Sequence, residues 1–154
     1  MVQSIRAARP ADELIIGVGS AEDSHTALNP FTAGERIEMI GRGLRAAHVT
    51  GWSAVPLADI HRHALWVRHL ESLLPPFGRV YTNNPLTRTL FEAAKYPVES
   101  PVLVDRARFE GAQIRALMAT GGTWEDRVPP AVAAYLQEIA GPARLRLLMP
   151  ADAP

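Results

Sequence analysis

The sequence predicts an α/β fold with a mainly parallel sheet, and three observations lead there. Short apolar runs carrying β-branched residues alternate along the chain with stretches of helical periodicity. The run from Glu13 to Ser20 (ELIIGVGS) is continuous rather than alternating, as in a strand buried on both faces. Polar or glycine-containing turns follow three of the runs, at Gly19-Ser20, Asp59-Ile60 and Asn83-Asn84. Right-handed crossovers join such strands, and ligands bind beyond the strands' C-terminal ends. The three turns are therefore expected on one edge, and function is expected there.

Each element follows from local chemistry. Val2 to Arg9 reads as the last turns of a helix ended by Pro10. After the strand at Glu13 to Ser20 comes a polar loop, Ala21 to Pro30. Thr32 and Glu35 have capping-box spacing, and Ile37, Ile40, Leu44 and Ala47 continue the helix as one apolar stripe. Trp52 to Leu57 is the second strand. His61 to Leu74 is a helix stopped by Pro75-Pro76. Arg79 to Thr82 is a short third strand. Pro85 to Lys95 is a helix with Asn84 as its cap and Pro85 at its first position. Val98 to Val104 is the fourth strand. Ile114, Leu117 and Met118 share one face of a helix that ends near Gly121-Gly122. Pro130 to Ile139 is a further helix with Val132, Leu136 and Ile139 inward. No repeat, low-complexity segment or linker divides the chain, so residues 1–150 are expected to form one domain, with 151–154 a frayed tail.

Composition narrows the function classes. The chain has 154 residues, enough for a single respectable core. Its formal net charge of +0 gives no sequence-wide electrostatic case for nucleic acid or an anionic membrane as partner. Cysteine is absent, which excludes disulfides, thiolate catalysis and Cys-based zinc sites. No apolar run approaches the roughly 20 residues that span a bilayer, and no signal-peptide pattern opens the chain, so a cytoplasmic protein is expected. Lys95 is the only lysine, so the candidate phosphate site has no lysine. His61 and His63 lie two apart, which suits a strand but not one helix face, and His-x3-His spacing is missing. No protein-held metal is expected.

Three phrases carry a family resemblance. GVGSAEDSHTALNPFTAGER (Gly17 to Arg36), PLADIHRHALWVRHL (Pro56 to Leu70) and PPFGRVYTNNPL (Pro75 to Leu86) together resemble archaeal-type nicotinamide mononucleotide adenylyltransferases. The similarity runs from the first residues to about Leu148. It implies a Rossmann-like nucleotidyltransferase fold, a homo-oligomer, and ATP and nicotinamide mononucleotide (NMN) as substrates, with Mg2+ accompanying ATP. It implies that Gly19, Ser20 and Ala21 let backbone approach a nucleotide, where close packing is the structural reading of Gly17 and Gly19. Trp66 would stack on the nicotinamide ring, or simply be a core tryptophan in line with Leu70 and Leu73. Asp59, Ile60 and His63 would contact the nicotinamide amide, with His63 standing where many relatives have Asn. Asn83 and Asn84 would lie near the adenine, a role compatible with capping. Gly111 and Arg115 would hold phosphate, Arg115 being the catalytic candidate and Arg106 and Arg108 weaker helpers; otherwise Arg115 is a surface arginine bridging to Glu110. Thr32 and Glu35 read as structural, and Arg36 as helix surface or support for the adjoining loop.

Two departures qualify the resemblance. The family opens with a strand and a turn carrying His-x-Gly-His, and this chain begins within the helix that follows, so the central first strand and the two ATP-contacting histidines are expected to be missing. On that basis the chain as given is expected to be inactive or slow and to self-associate through the gap. The second departure is Phe109 to Arg115, where Glu110 and Ala112 replace hydroxyl residues. Two other functions remain open: a nucleotidyltransferase for another phosphorylated acceptor, and a non-catalytic nucleotide-binding remnant.

Overall fold

The computed structural model describes residues 2, 5, 9, 12–102, 105 and 107–149. Two compact units interleave along the chain, one drawn from 13–58 and 105–154, the other from 1–12 and 59–104. Each contains a two-stranded parallel sheet, and among the described residues six α-helices alternate with the strands or follow them. The α/β class read from the sequence is the class observed.

In the first unit the apolar run forms β1 (Leu14–Val18), which pairs in parallel with β2 (Trp52–Pro56), Leu14 opposite Trp52 and Val18 opposite Pro56. Between them runs α1 (Ala33–Ala46), and its first turn is the capping box that the sequence announces. Thr32 Oγ1 accepts from the Glu35 amide at 3.2 Å, and Glu35 Oε2 accepts from the Thr32 amide at 2.8 Å. Thr32→Ala removes one half of this exchange and is expected to cost about 1 kcal/mol of unfolding free energy, measured by urea denaturation. The apolar stripe stops short of expectation. Ala47 caps the helix and is exposed, because the chain leaves helical geometry there.

The core of this unit gathers Phe31, Met118, Trp124, Val132, Ala133, Leu136 and Leu145. These come from the loop before α1, from α4 (Gly111–Thr120), from the 3-10 turn Glu125–Arg127 and its approach, from α5 (Pro130–Glu138) and from α6 (Gly141–Leu148). Gly121 ends α4 in the left-handed region at φ 76°, as the glycine pair suggested. The last helix is new relative to the sequence reading, and its Leu145 is completely buried. It can pack there because Gly141 has no side chain. A Cβ at that position would lie 3.0 Å from the Leu136 carbonyl and 3.3 Å from the Phe31 ring.

One ion pair locks this core to the capping box. Arg144 on α6 grips both carboxylate oxygens of Glu35, at 2.7 and 2.8 Å. The Arg144 guanidinium, opposed by partial burial and aided by the Thr32 amide, holds the Glu35 carboxyl below its usual value of 4.5. A lowered folded-state pKa contributes stability that is present above the unfolded value and is lost as pH falls through the folded one. Unfolding free energy is therefore expected to decline on acidification below about pH 4.5, and to decline less steeply in Glu35→Gln, as followed by denaturation at stepped pH.

In the second unit β3 (Val80–Tyr81) pairs in parallel with β4 (Val98–Glu99), with α2 (His63–Leu73) and α3 (Pro85–Ala93) beside them in sequence. Its interior is aromatic. Phe91 meets Trp66, Phe77 and Tyr96 edge-on at 5.7, 6.0 and 5.6 Å, and Tyr96 stacks on Phe77 at 4.9 Å. The Tyr96 hydroxyl donates to Glu71 at 2.8 Å. Leu70 is buried, but Leu73 is exposed, so the expected stripe through Trp66, Leu70 and Leu73 breaks in the last turn. The fourth strand is shorter than expected. Pro101 has no amide to donate to a ladder, and its carbonyl accepts instead from Asn83 Nδ2 at 2.9 Å. Leu103 and Val104 lie outside the described residues, as do most of the expected N-terminal helix, Arg106 and the 151–154 tail. No helix among the described residues is long and apolar enough to cross a membrane.

Candidate functional site

A cavity of about 280 Å³ opens in the second unit, lined by Asp59, His61, His63, Trp66, Asn84, Leu86, Thr87 and Leu90. Two helix starts build it. The first turn of α2 carries His63 and Trp66, three residues apart and so on one face. Asn84 caps α3, its side-chain oxygen accepting from the Thr87 amide at 3.1 Å, with Pro85 pre-set at the first helical position. That leaves Leu86, Thr87 and Leu90 along the cavity. Trp66 is half-buried, its ring against Phe91 as well as on the cavity wall. The core reading and the ligand reading of this tryptophan are thus compatible.

In the first unit, the turn after β1 is held by Arg36. Its two terminal nitrogens donate to the carbonyls of Gly19 and Ser20, each at 2.7 Å. Of the two roles open to Arg36, support for the adjoining loop is the one observed. Ser20 sits in the left-handed region at φ 47°, unusual for a residue with a side chain. The Ala21 amide donates to the Leu57 carbonyl at 3.1 Å, tying the turn to the end of β2. Because the peptide is planar and trans, the Ser20 N–H points opposite to the Gly19 carbonyl, away from Arg36. The two glycines separate in role. A Cβ on Gly17 would come within 2.6 Å of Leu57, so Gly17 is needed for packing; one on Gly19 would meet nothing within 4 Å. Open space at Gly19 is what close approach of a ligand requires.

The third group sits at the start of α4. Glu110 occupies the cap position without a side-chain capping bond, so the first amides of the helix have no side-chain acceptor there. Its carboxylate accepts from Gln113 Nε2 at 2.9 Å instead. Arg115 folds back along the helix, its guanidinium 3.2 Å from where a Cβ on Gly111 would stand. It forms no ion pair with a carboxylate among the described residues. A cation at the positive end of a helix attracts anions. Arg108 is engaged elsewhere, with Asp126 at 3.0 Å.

The pattern of the cytidylyltransferase-like family matches residues 3–119. A nicotinamide-nucleotide adenylyltransferase of Methanosphaerula palustris is 50% identical over 148 residues, covering 96% of this chain and 87% of the relative. One from Thermoplasma volcanium is 47% identical, covering 96% and 83%, and one from Haloarcula marismortui 46%, covering 96% and 78%. The chain belongs to the nicotinamide-nucleotide adenylyltransferase family.

Among the residues that this adenylyltransferase-family chain offered in sequence, Asp59, His63, Trp66 and Asn84 meet in one cavity. Ile60 is half-buried and not on its lining, and Asn83 is spent on the Pro101 carbonyl. Gly19, Ser20 and Ala21 form one supported turn, while Gly111 and Arg115 form another group. Sequence reasoning left out the cavity's His61, Leu86, Thr87 and Leu90. Leu86 and Leu90 could have been found from their i,i+4 spacing behind the Asn84 cap. His61 could not, because its place depends on a left-handed backbone at φ 52°. Among the described residues no three His, Cys, Asp or Glu come together to hold a metal ion.

Proposed function

We propose that this chain transfers the adenylyl group of ATP to nicotinamide mononucleotide, giving NAD and pyrophosphate. The observation that carries the reading is the cavity walled by Trp66 and rimmed by Asp59, His63 and Asn84, in a chain whose relatives are named for this reaction. An oxygen of the mononucleotide's 5′-phosphate attacks the α-phosphorus of ATP. The bond from that phosphorus to the bridging oxygen breaks, and pyrophosphate carries the electron pair away. No enzyme nucleophile is needed, so the protein's task is to align the reactants and stabilise charge.

In this reading Trp66 stacks on the nicotinamide ring, and Asp59 and His63 face its amide with polar side chains, while Ile60, off the cavity lining, takes no part in that contact. The turn at Gly19, Ser20 and Ala21 brings backbone against nucleotide. Asn83 and Asn84 lie near the adenine while keeping their structural bonds. Gly111, the α4 amides and the Arg115 guanidinium hold phosphate. Mg2+ arrives on the ATP phosphates as part of that substrate. The acceptor is a free small molecule rather than nucleic acid, and the protein works in the cytoplasm as a homo-oligomer.

Incubation with ATP labelled in its α-phosphate, Mg2+ and NMN tests the transfer. Label is expected to appear slowly in NAD, in equal amount to the pyrophosphate formed. Pyrophosphate release without labelled NAD would overturn the reading.

A further inference from the structure

The bonds around Glu35 and Arg36 extend beyond capping. Arg144 on α6 holds both Glu35 oxygens, at 2.7 and 2.8 Å, and also donates to the Pro30 carbonyl at 3.3 Å. Its guanidinium lies 5.6 Å from the Phe31 ring centroid. The two partners are separated by 109 residues of sequence, and their side chains are only 22% and 18% exposed. Glu35 Oε2 is simultaneously bonded to the Thr32 amide, so the first turn of α1 is fixed to α6 on that side. The next residue, Arg36, points about 100° further round the helix. There it bonds the Gly19 and Ser20 carbonyls, while its Nε is buried without a partner. The Arg36 guanidinium is thus directed at the turn, and it holds Ser20 in a left-handed conformation that this residue type rarely adopts.

A part-buried ion pair adds little net stability, because desolvation offsets most of the attraction; a two-pronged one does fix geometry. The Thr32–Glu35 exchange already caps the helix. What Arg144 adds is a set position for the turn of helix from which Arg36 reaches out.

We propose that Arg144 is a positioning residue for the nucleotide-facing turn at Gly19 and Ser20, acting through Glu35 and Arg36. The inference rests on the proposed function, in which that turn approaches a nucleotide. It makes α6 a determinant of nucleotide affinity.

The test is calorimetric titration of the full chain with NMN and with ATP–magnesium, alongside thermal melting. Arg144→Gln is expected to weaken at least one affinity about tenfold, and Arg144→Lys, which restores charge at one point only, to weaken it less. Combined with Arg36→Lys, Arg144→Gln should add less than about twofold, since both act on one turn. Arg42→Gln is the comparison. Arg42 bonds Glu38 and Glu138 at 2.7 Å and ties α1 to α5 without reaching the first turn, so it should lower melting temperature with both affinities within about twofold. Unchanged affinities in folded Arg144→Gln overturn the proposal and leave the function intact; if that variant does not fold, unchanged affinities in Arg144→Lys do the same. An unmodified chain that binds neither nucleotide overturns the function and this inference with it.

Discussion

Arg115→Ala is expected to weaken ATP–magnesium binding roughly tenfold to 150-fold, the worth of a charge-assisted hydrogen bond at about 1.5–3 kcal/mol. Its effect on the rate of NAD formation should be larger. One well-aimed donor to a charged transition state contributes about a hundredfold to a thousandfold. The expectation follows from where the guanidinium sits. It folds back over Gly111 at the start of α4, among helix amides that no side chain caps. Charge there is poorly placed for helix stability, since a cation opposes the dipole, so its place is better explained by an anion. Alanine is the stronger helix former, and folding should survive the change. Arg115→Lys should fall between, because an ammonium keeps the charge and loses the fork. Titration and initial rates that match the unmodified chain would mark Arg115 as an ordinary surface residue.

Trp66→Ala is expected to weaken NMN binding by about 1–3 kcal/mol, the range measured for loss of one base–aromatic stack. That is roughly fivefold to 150-fold in the dissociation constant. The same ring also meets Phe91 edge-on at 5.7 Å, so alanine will lower stability too. Trp66→Phe separates the two roles. Phenylalanine retains an edge-on contact and part of the stacking face, and it should restore most of the melting temperature while affinity stays intermediate. Equal NMN affinity in all three proteins would return Trp66 to the core alone.

The contrast between what was and was not readable in the sequence is physical. Capping chemistry is local. Thr32 with Glu35, and Asn84 with Pro85, announce helix starts because the bonding partners lie within three residues. Both are found as read. Strand and helix periods likewise place β1, β2 and α1 to α5 within a few residues. Failures occur where distant parts of the chain decide. The start of α6 went unread because it depends on Gly141 packing beside Phe31 and Leu136, which lie more than a turn away or in a distant part of the chain. Leu145, its completely buried residue, stands between two arginines in a stretch that the sequence reading passed over.

The site was legible in a similar, partial way. Asp59, His63, Trp66 and Asn84 could be named because the motif wording covers two helix starts, and those starts share a cavity. Gly17 and Gly19 could not be told apart by sequence, since only the neighbouring Leu57 reveals which one must lack a side chain. The dual use of Trp66 was open for the same reason. The Arg36 fork and the Arg144–Glu35 pair join residues up to 109 positions apart, and no local pattern predicts them.

The most direct measurement of the central claim is calorimetric titration of the unmodified chain with NMN, followed by ATP–magnesium. Saturable heat with NMN is expected at one site per chain, abolished or strongly weakened by Trp66→Ala. A folded protein that gives no heat with NMN, or that binds it equally well without Trp66, would contradict the assignment of this cavity to the nicotinamide nucleotide.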